Sequence, residues 1–145
     1  MNDKEMVIHE MNKFLKGIHM GGTTFKDYLE KAKSFKLKED LTQIIESFKR
    51  HEEAITKRIN QLGGNASDTV GLMGMMGEFF EKVKLISANT DEEILEHAIN
   101  AMEMGIKSGN KFIDEHKDLE ESLLKEVKAI VDDYNGHIKK LREFI

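Results

Sequence analysis

The sequence predicts an all-α protein, a bundle of four long helices arranged as two hairpins, and three observations predict it. Apolar residues recur at spacings of three and four over most of the chain, the period of an amphipathic helix. No proline occurs in 145 residues, against an average near 5%, so nothing interrupts long helices. Residues 5–62 and 90–145 also follow one plan. Ile18-His19-Met20-Gly21 in the first copy matches Met102-Glu103-Met104-Gly105 in the second, and Phe48-x-x-His51 matches Tyr134-x-x-His137. A length of 145 residues is read as a single domain, 1–145, large enough to bury roughly 68 to 70% of its unfolded surface.

The first helix, 3–33, carries the stripe Val7, Met11, Phe14, Ile18, Gly21 or Gly22, Phe25, Leu29 and Ala32. About 30 residues rising 1.5 Å each make it roughly 45 Å long. Ser34 is placed to cap the second helix, 35–62, because its hydroxyl can accept from an unpaired first-turn N–H. That helix buries Leu41, Ile44, Ile45, Phe48, Ile55, Ile59 and Leu62, and the pair Gly63-Gly64 ends it. Thr90 with Glu93 forms a capping box at the start of the third helix, 91–115. Asp118 with Glu121 marks the fourth, 119–144, in the same cap-and-acid arrangement. Their stripes run Ile94, Ala98, Met102, Gly105, Gly109, Phe112 and Ile113, and then Leu123, Val127, Ile130, Val131, Tyr134, Ile138, Leu141 and Ile145.

Between the hairpins, residues 69–86 read as a short crossover helix, apolar but punctuated by Gly71, Gly74 and Gly77. A helix of about 17 residues spans some 26 Å, and flanking extended residues add about 3.3 Å each. That is enough to run the length of a 40 Å bundle, which favours the ferritin-like topology with one crossover over a simple up-down-up-down bundle.

The order of elements, the phrase Gln61-Leu62-Gly63-Gly64-Asn65-Ala66-Ser67-Asp68 with its glycine-punctuated sequel, and Asp91-Glu92-Glu93-Ile94-Leu95 resemble a bacterial family of ferritin-like four-helix bundles. That family is a domain of unknown function grouped loosely with stress-associated proteins. The resemblance covers nearly the whole chain and implies the fold, a bacterial source and a stress-associated setting, but no residue-level chemistry. Relatives tend to place glutamates and then a tyrosine along the third helix, where this chain has Ile99, Met102 and Gly109. More distantly the chain is similar to the rubrerythrins, whose di-iron site takes a glutamate from each of two helices and Glu-x-x-His from each of the others.

Composition excludes several function classes. Without cysteine there are no disulfides, thiolate metal sites or cysteine nucleophiles. Charged residues make up 34% and sum to −5 with both signs interspersed, which is the pattern of solvated helix surfaces and does not supply the basic face that nucleic acid requires. No apolar run reaches the roughly 18 residues of a membrane span, and Met-Asn-Asp-Lys-Glu at the start has no signal-peptide character. The expected setting is the cytoplasm. Nucleophile elbows, phosphate-cradling loops, calcium loops and His-Glu-x-x-His are all missing.

Three groups of residues carry candidate function. Paired metal ions need bridging carboxylates, yet both Glu-x-x-His slots keep the histidine and replace the glutamate with Phe48 or Tyr134. With the matched residues of the other helices, this leaves His19, His51, Glu103 and His137 as candidate ligands for a single Fe, Mn or Zn ion. The opposing reading is that His51 and His137 hydrogen-bond neighbours, that His19 and Glu103, one residue off the stripes, point to the flank and water, and that Glu46, Glu52, Asp132 and Asp133 are surface charge. Leu72, Met73, Met76, Phe79 and Phe80 form a soft apolar crossover surface suited to packing on the bundle, gripping a partner or self-association. Gly22, Met102, Gly105 and Gly109 mark either close packing of helices one and three or the lining of a mid-bundle cavity. The leading functional reading is a non-catalytic, stress-associated or interaction protein without cofactor, with a degenerate di-iron site. The alternatives are a mononuclear metal or redox protein and a carrier of apolar small ligands.

Overall fold

The computed structural model describes residues 3–66 and 89–144, which form four α-helices. They are α1 (Asp3–Lys31), α2 (Phe35–Gln61), α3 (Asp91–Glu115) and α4 (Glu121–Arg142). The crossover helix expected at 69–86, with Leu72, Met73, Met76, Phe79 and Phe80, lies outside the described residues.

Local chemistry sets the helix ends. The Ser34 hydroxyl accepts from the Leu37 N–H and starts α2. At its other end Gly63, at φ 82, donates to the Asn60 carbonyl while Gly64 donates to Ile59. This is the paired closure that a left-handed glycine permits after a helix. Thr90 caps α3 through the Glu93 N–H, and the Glu93 carboxylate reaches back one residue further than expected, to Asn89. The start of α4 differs from the sequence reading. The cap position is Glu120, without a side-chain cap bond, because Asp118 is taken up, exposed, in the preceding turn that closes through Leu119 N–H to the His116 carbonyl.

α1 packs on α2 and α3 on α4, and the two hairpins meet along α1·α3 and α2·α4. The direction of α3 follows from Asp91. Its carboxylate accepts from the backbone N–H groups of Lys33 and Ser34, both at 2.8 Å, so α3 starts beside the α1–α2 turn. α2 finishes at the opposite end, where Arg58 pairs with Glu126 near the start of α4. α2 and α3 therefore run parallel, and α1 and α3 antiparallel. This is the ferritin-like connectivity.

The core is continuous through all four helices and includes Phe25, Leu37, Leu41, Ile59, Ile94, Val127 and Leu141, each fully buried. The buried face of α1 is wider than its stripe: Leu15, His19, Thr24 and Tyr28 are also covered, since α1 borders both α2 and α3. His19, only 8% exposed, corrects the expectation that it faces water. No helix among the described residues is long and apolar enough to cross a membrane.

Candidate functional site

The two repeats place matched aromatics opposite matched glycines. A Cβ on Gly21 would lie 2.6 Å from Cε1 of Phe48, and one on Gly105 would lie 2.9 Å from Cε2 of Tyr134. Each glycine thus admits the ring of its own hairpin partner, Phe48 of α2 onto α1 and Tyr134 of α4 onto α3. The two rings then meet across the bundle, centroids 5.5 Å apart, and Phe25 extends the chain at 5.5 Å from Phe48. Tilted pairs at this separation suit the ring quadrupoles. Gly109 behaves likewise, its Cβ position 2.4 Å from Val131, while Gly22 lies against the Cβ of Phe48. Gly21, Gly105 and Gly109 therefore serve packing within each hairpin, whereas the sequence reading had placed that close approach between α1 and α3.

Between α1 and α3 there is instead a pocket of about 210 Å³. Phe14, Ile18, Phe25, Met102, Gly105 and Tyr134 are among its lining residues. Of the residues proposed to line a cavity, Met102 and Gly105 do so; Gly22 and Gly109 are not part of its wall.

The polar side chains gather on the other seam. Asp133 of α4 is their hub. Its Oδ2 accepts from Nε2 of His51 at 2.7 Å and lies 3.3 Å from Nε2 of His137. His137 Nε2 is also 3.0 Å from Oγ of the buried Ser47, which accepts from Arg50 at 2.9 Å. Burial pushes the Asp133 carboxyl up, but the hydrogen bond from His51, the charges of His137 and His51, and the Ser47 hydroxyl together hold it below its ordinary 3.8. It is an acceptor-only carboxylate, so His51 donates to it. His137 is driven below its ordinary 6.5 chiefly by burial, with Lys140 and His51 acting in the same direction and Asp133 opposing. The phenols nearby stay protonated. Burial, aided by a neighbouring carboxylate in each case, pushes Tyr28 up to about 12 and Tyr134 further still.

Of the four candidate ligands, the structure brings two together. His51 and His137 share Asp133 on the α2·α4 seam. His19 turns to Glu52, with Nδ1 3.2 Å from Oε2, and Glu103 sits on the surface, paired with Arg142 at 3.0 Å. Among the described residues no group of three or more His, Asp or Glu is arranged to hold a metal ion. Ser47, His137 and Asp133 do not make a nucleophilic triad either. One nitrogen of His137 faces both the hydroxyl and the carboxylate, whereas a triad needs one on each side of the ring.

Sequence reasoning weighed Asp133 as surface charge and passed over Ser47. The signal was present in the repeat. Ser47 and Asp133 each precede the matched aromatic by one residue and the matched histidine by four, the spacing that puts two side chains on one helix face.

Residues 6–115 match the family model described as a domain of unknown function, DUF2383. No curated protein matches the sequence. Among solved structures the fold is similar to a dodecameric thioferritin, the bacterioferritin-related protein of Bacteroides fragilis. The TM-score is 0.79 at 14% identity, covering 98% of this chain and 85% of that one. It is also similar to a two-domain protein of Anabaena variabilis containing DJ-1/ThiJ/PfpI-like and ferritin-like domains, with a TM-score of 0.77 at 18% identity over 99% of this chain. The chain spans only 36% of that protein's length. At these identities the likeness is one of fold.

Proposed function

We propose, for a chain that belongs to the DUF2383 family, that the protein is a non-catalytic interaction protein on a ferritin-like scaffold whose di-iron site is degenerate. One observation carries this reading. In the repeat positions where paired iron would need glutamates, Phe48 and Tyr134 present rings, and those rings pack onto Gly21 and Gly105. An aromatic ring offers no anionic oxygen to bridge two cations, so the residues present do not fit a di-iron centre. The stress-associated setting comes from the family resemblance. Association between copies is supported by the dodecameric assembly of the Bacteroides fragilis relative in fold.

A second reading, a mononuclear metal site, is favoured by the convergence of His51 and His137 on Asp133. Imidazole and carboxylate are suitable ligands for Fe, Mn or Zn. Aerobic iron loading of untagged protein, followed by elemental analysis and a ferroxidase assay, separates the two. The expected result is no ferroxidation and metal far below stoichiometric. Near-stoichiometric Fe, Mn or Zn that disappears in His51→Ala or His137→Ala would replace the non-catalytic reading with the metalloprotein.

A further inference from the structure

The pocket between α1 and α3 lies on the opposite seam from the His–Asp cluster, and nothing in the proposal above uses it. We propose that it is a binding site for a compact apolar molecule of one or two rings, carrying at most one small polar group. Size is the first argument. Apolar cavities of roughly 150 Å³ already hold benzene, and this one measures about 210 Å³, room for a fused second ring.

The walls select the chemistry. Aromatic rings from Phe14, Phe25 and Phe48 face the space together with the thioethers of Met20, Met102 and Met104, and among the described residues no lining residue is charged. An ionic ligand would lose its hydration with no counter-charge to replace it. The lining hydroxyls are few. That of Thr24 donates to the Met20 carbonyl at 2.8 Å, the Tyr134 phenol is buried, and Ser108 stands exposed, so any polar group of the ligand belongs beside Ser108. Met104 is 69% exposed and gives the mouth a flexible, adaptable side chain that can mould to different rings.

Gly17 supplies an independent argument. Glycine weakens a helix interior, and at Gly21 and Gly105 a neighbouring ring requires it. Gly17 lines the pocket at an exposed position, and among the described residues an added Cβ there would meet nothing within 4 Å. The missing side chain leaves the edge of the pocket open there.

The test is NMR of the full chain with isotopically labelled methionine methyls, titrated with indole, and with benzoate as the charged control. Saturable shifts are expected at Met20, Met102 and Met104 but not at Met6 or Met11, which lie outside the pocket, and benzoate should leave all five unmoved. Gly17→Leu, which adds a branched side chain at the pocket's edge, should weaken indole binding by about tenfold or more, while Gly17→Ala retains it. Ser108→Phe, at the exposed rim, provides a second block should Gly17→Leu fold poorly. Absence of pocket shifts at millimolar indole in the folded protein overturns the proposal, as would follow if the chain itself or a second copy filled the space. Shifts of equal size at Met6 and Met11, equal binding of benzoate, or undiminished affinity in both blocking variants overturn it too. Because the metal experiment reads α2·α4 and this one reads α1·α3, either can fail without the other.

Discussion

The two seams that join the hairpins bury opposite chemistry. Along α1·α3 the contact among the described residues is apolar, with glycines, methionines and aromatic rings around a pocket. Along α2·α4 the contact is polar, and every member of the Ser47, His51, Asp133 and His137 set has a partner. Hydrogen-bonded groups demand one register, because each displaced partner leaves a buried donor or acceptor unsatisfied, whereas an apolar surface tolerates many. The polar seam is therefore read as the element that sets how the hairpins align, and the apolar seam as the one free to hold something else. The aromatic trio of Phe25, Phe48 and Tyr134 lies between them and borders both, since Tyr134 lines the pocket and also meets His51 edge-on at 5.8 Å.

The largest effect expected from breaking this arrangement is at that shared boundary. Phe48→Ala removes the ring seated on Gly21 and the ring contacts to Phe25 and Tyr134 together. It should lower stability by about 3 to 5 kcal/mol, the usual loss for a buried phenylalanine, read as a shift in the urea midpoint. A loss below about 1 kcal/mol would mean the seams do not share a core there.

Smaller, and confined to the polar seam, is Asp133→Ala. Hydrogen bonds to charged groups contribute about 1.5 to 3 kcal/mol, and the lower end applies because the Asp133 side chain is 33% exposed. Acid acts on the same network. His137 has a folded pKa below its unfolded 6.5, so the fold binds fewer protons there than the unfolded chain. The stability it contributes is whole above about pH 6.5 and is lost as pH falls through the lowered folded value. Asp133, also lowered, adds a further loss below 3.8. Urea midpoints should therefore decline as pH falls below about 6.5, and less steeply in His137→Gln. An equal decline in that variant assigns the acid sensitivity elsewhere.

The smallest effects contrast two glycines of one helix and should differ in sign. Gly17→Ala has open space and gains helix propensity, stabilising by up to about 1 kcal/mol. Gly21→Ala makes the same gain but drives a methyl onto the Phe48 ring. Overpacking of that kind costs about 1 to 3 kcal/mol, so the net change is destabilising. Matching thermal shifts in the two variants would remove the packing role assigned to Gly21.

Much of this was legible in advance. Helix spacing and matched repeats point to two hairpins, and capping by Ser34, Thr90 and the Gly63-Gly64 pair depends on side chains and glycines within a few residues of each helix end. The start of α4 was less legible, because Asp118 and Glu121 have the spacing of a cap while the turn at His116 moves the cap position past Asp118 to Glu120. The site was half legible. His51 and His137 stood out as the survivors of a metal motif, but their acceptor, Asp133, looks like any charged residue next to another, Asp132, until α2 is laid beside α4.

The chain by itself determined the helices, their approximate ends, the repeat and the placing of Phe48 and Tyr134 three residues before His51 and His137, because each depends on residues close in sequence or on the period of a single helix. Only the tertiary structure decided that His19 is buried, that Glu103 pairs with Arg142 on the surface, and that the glycines receive rings within the hairpins and leave a pocket between them. Periodicity tells which side of a helix turns inward. What that side meets depends on the rotation and offset of another helix, and those are settled only when many distant contacts are satisfied at once.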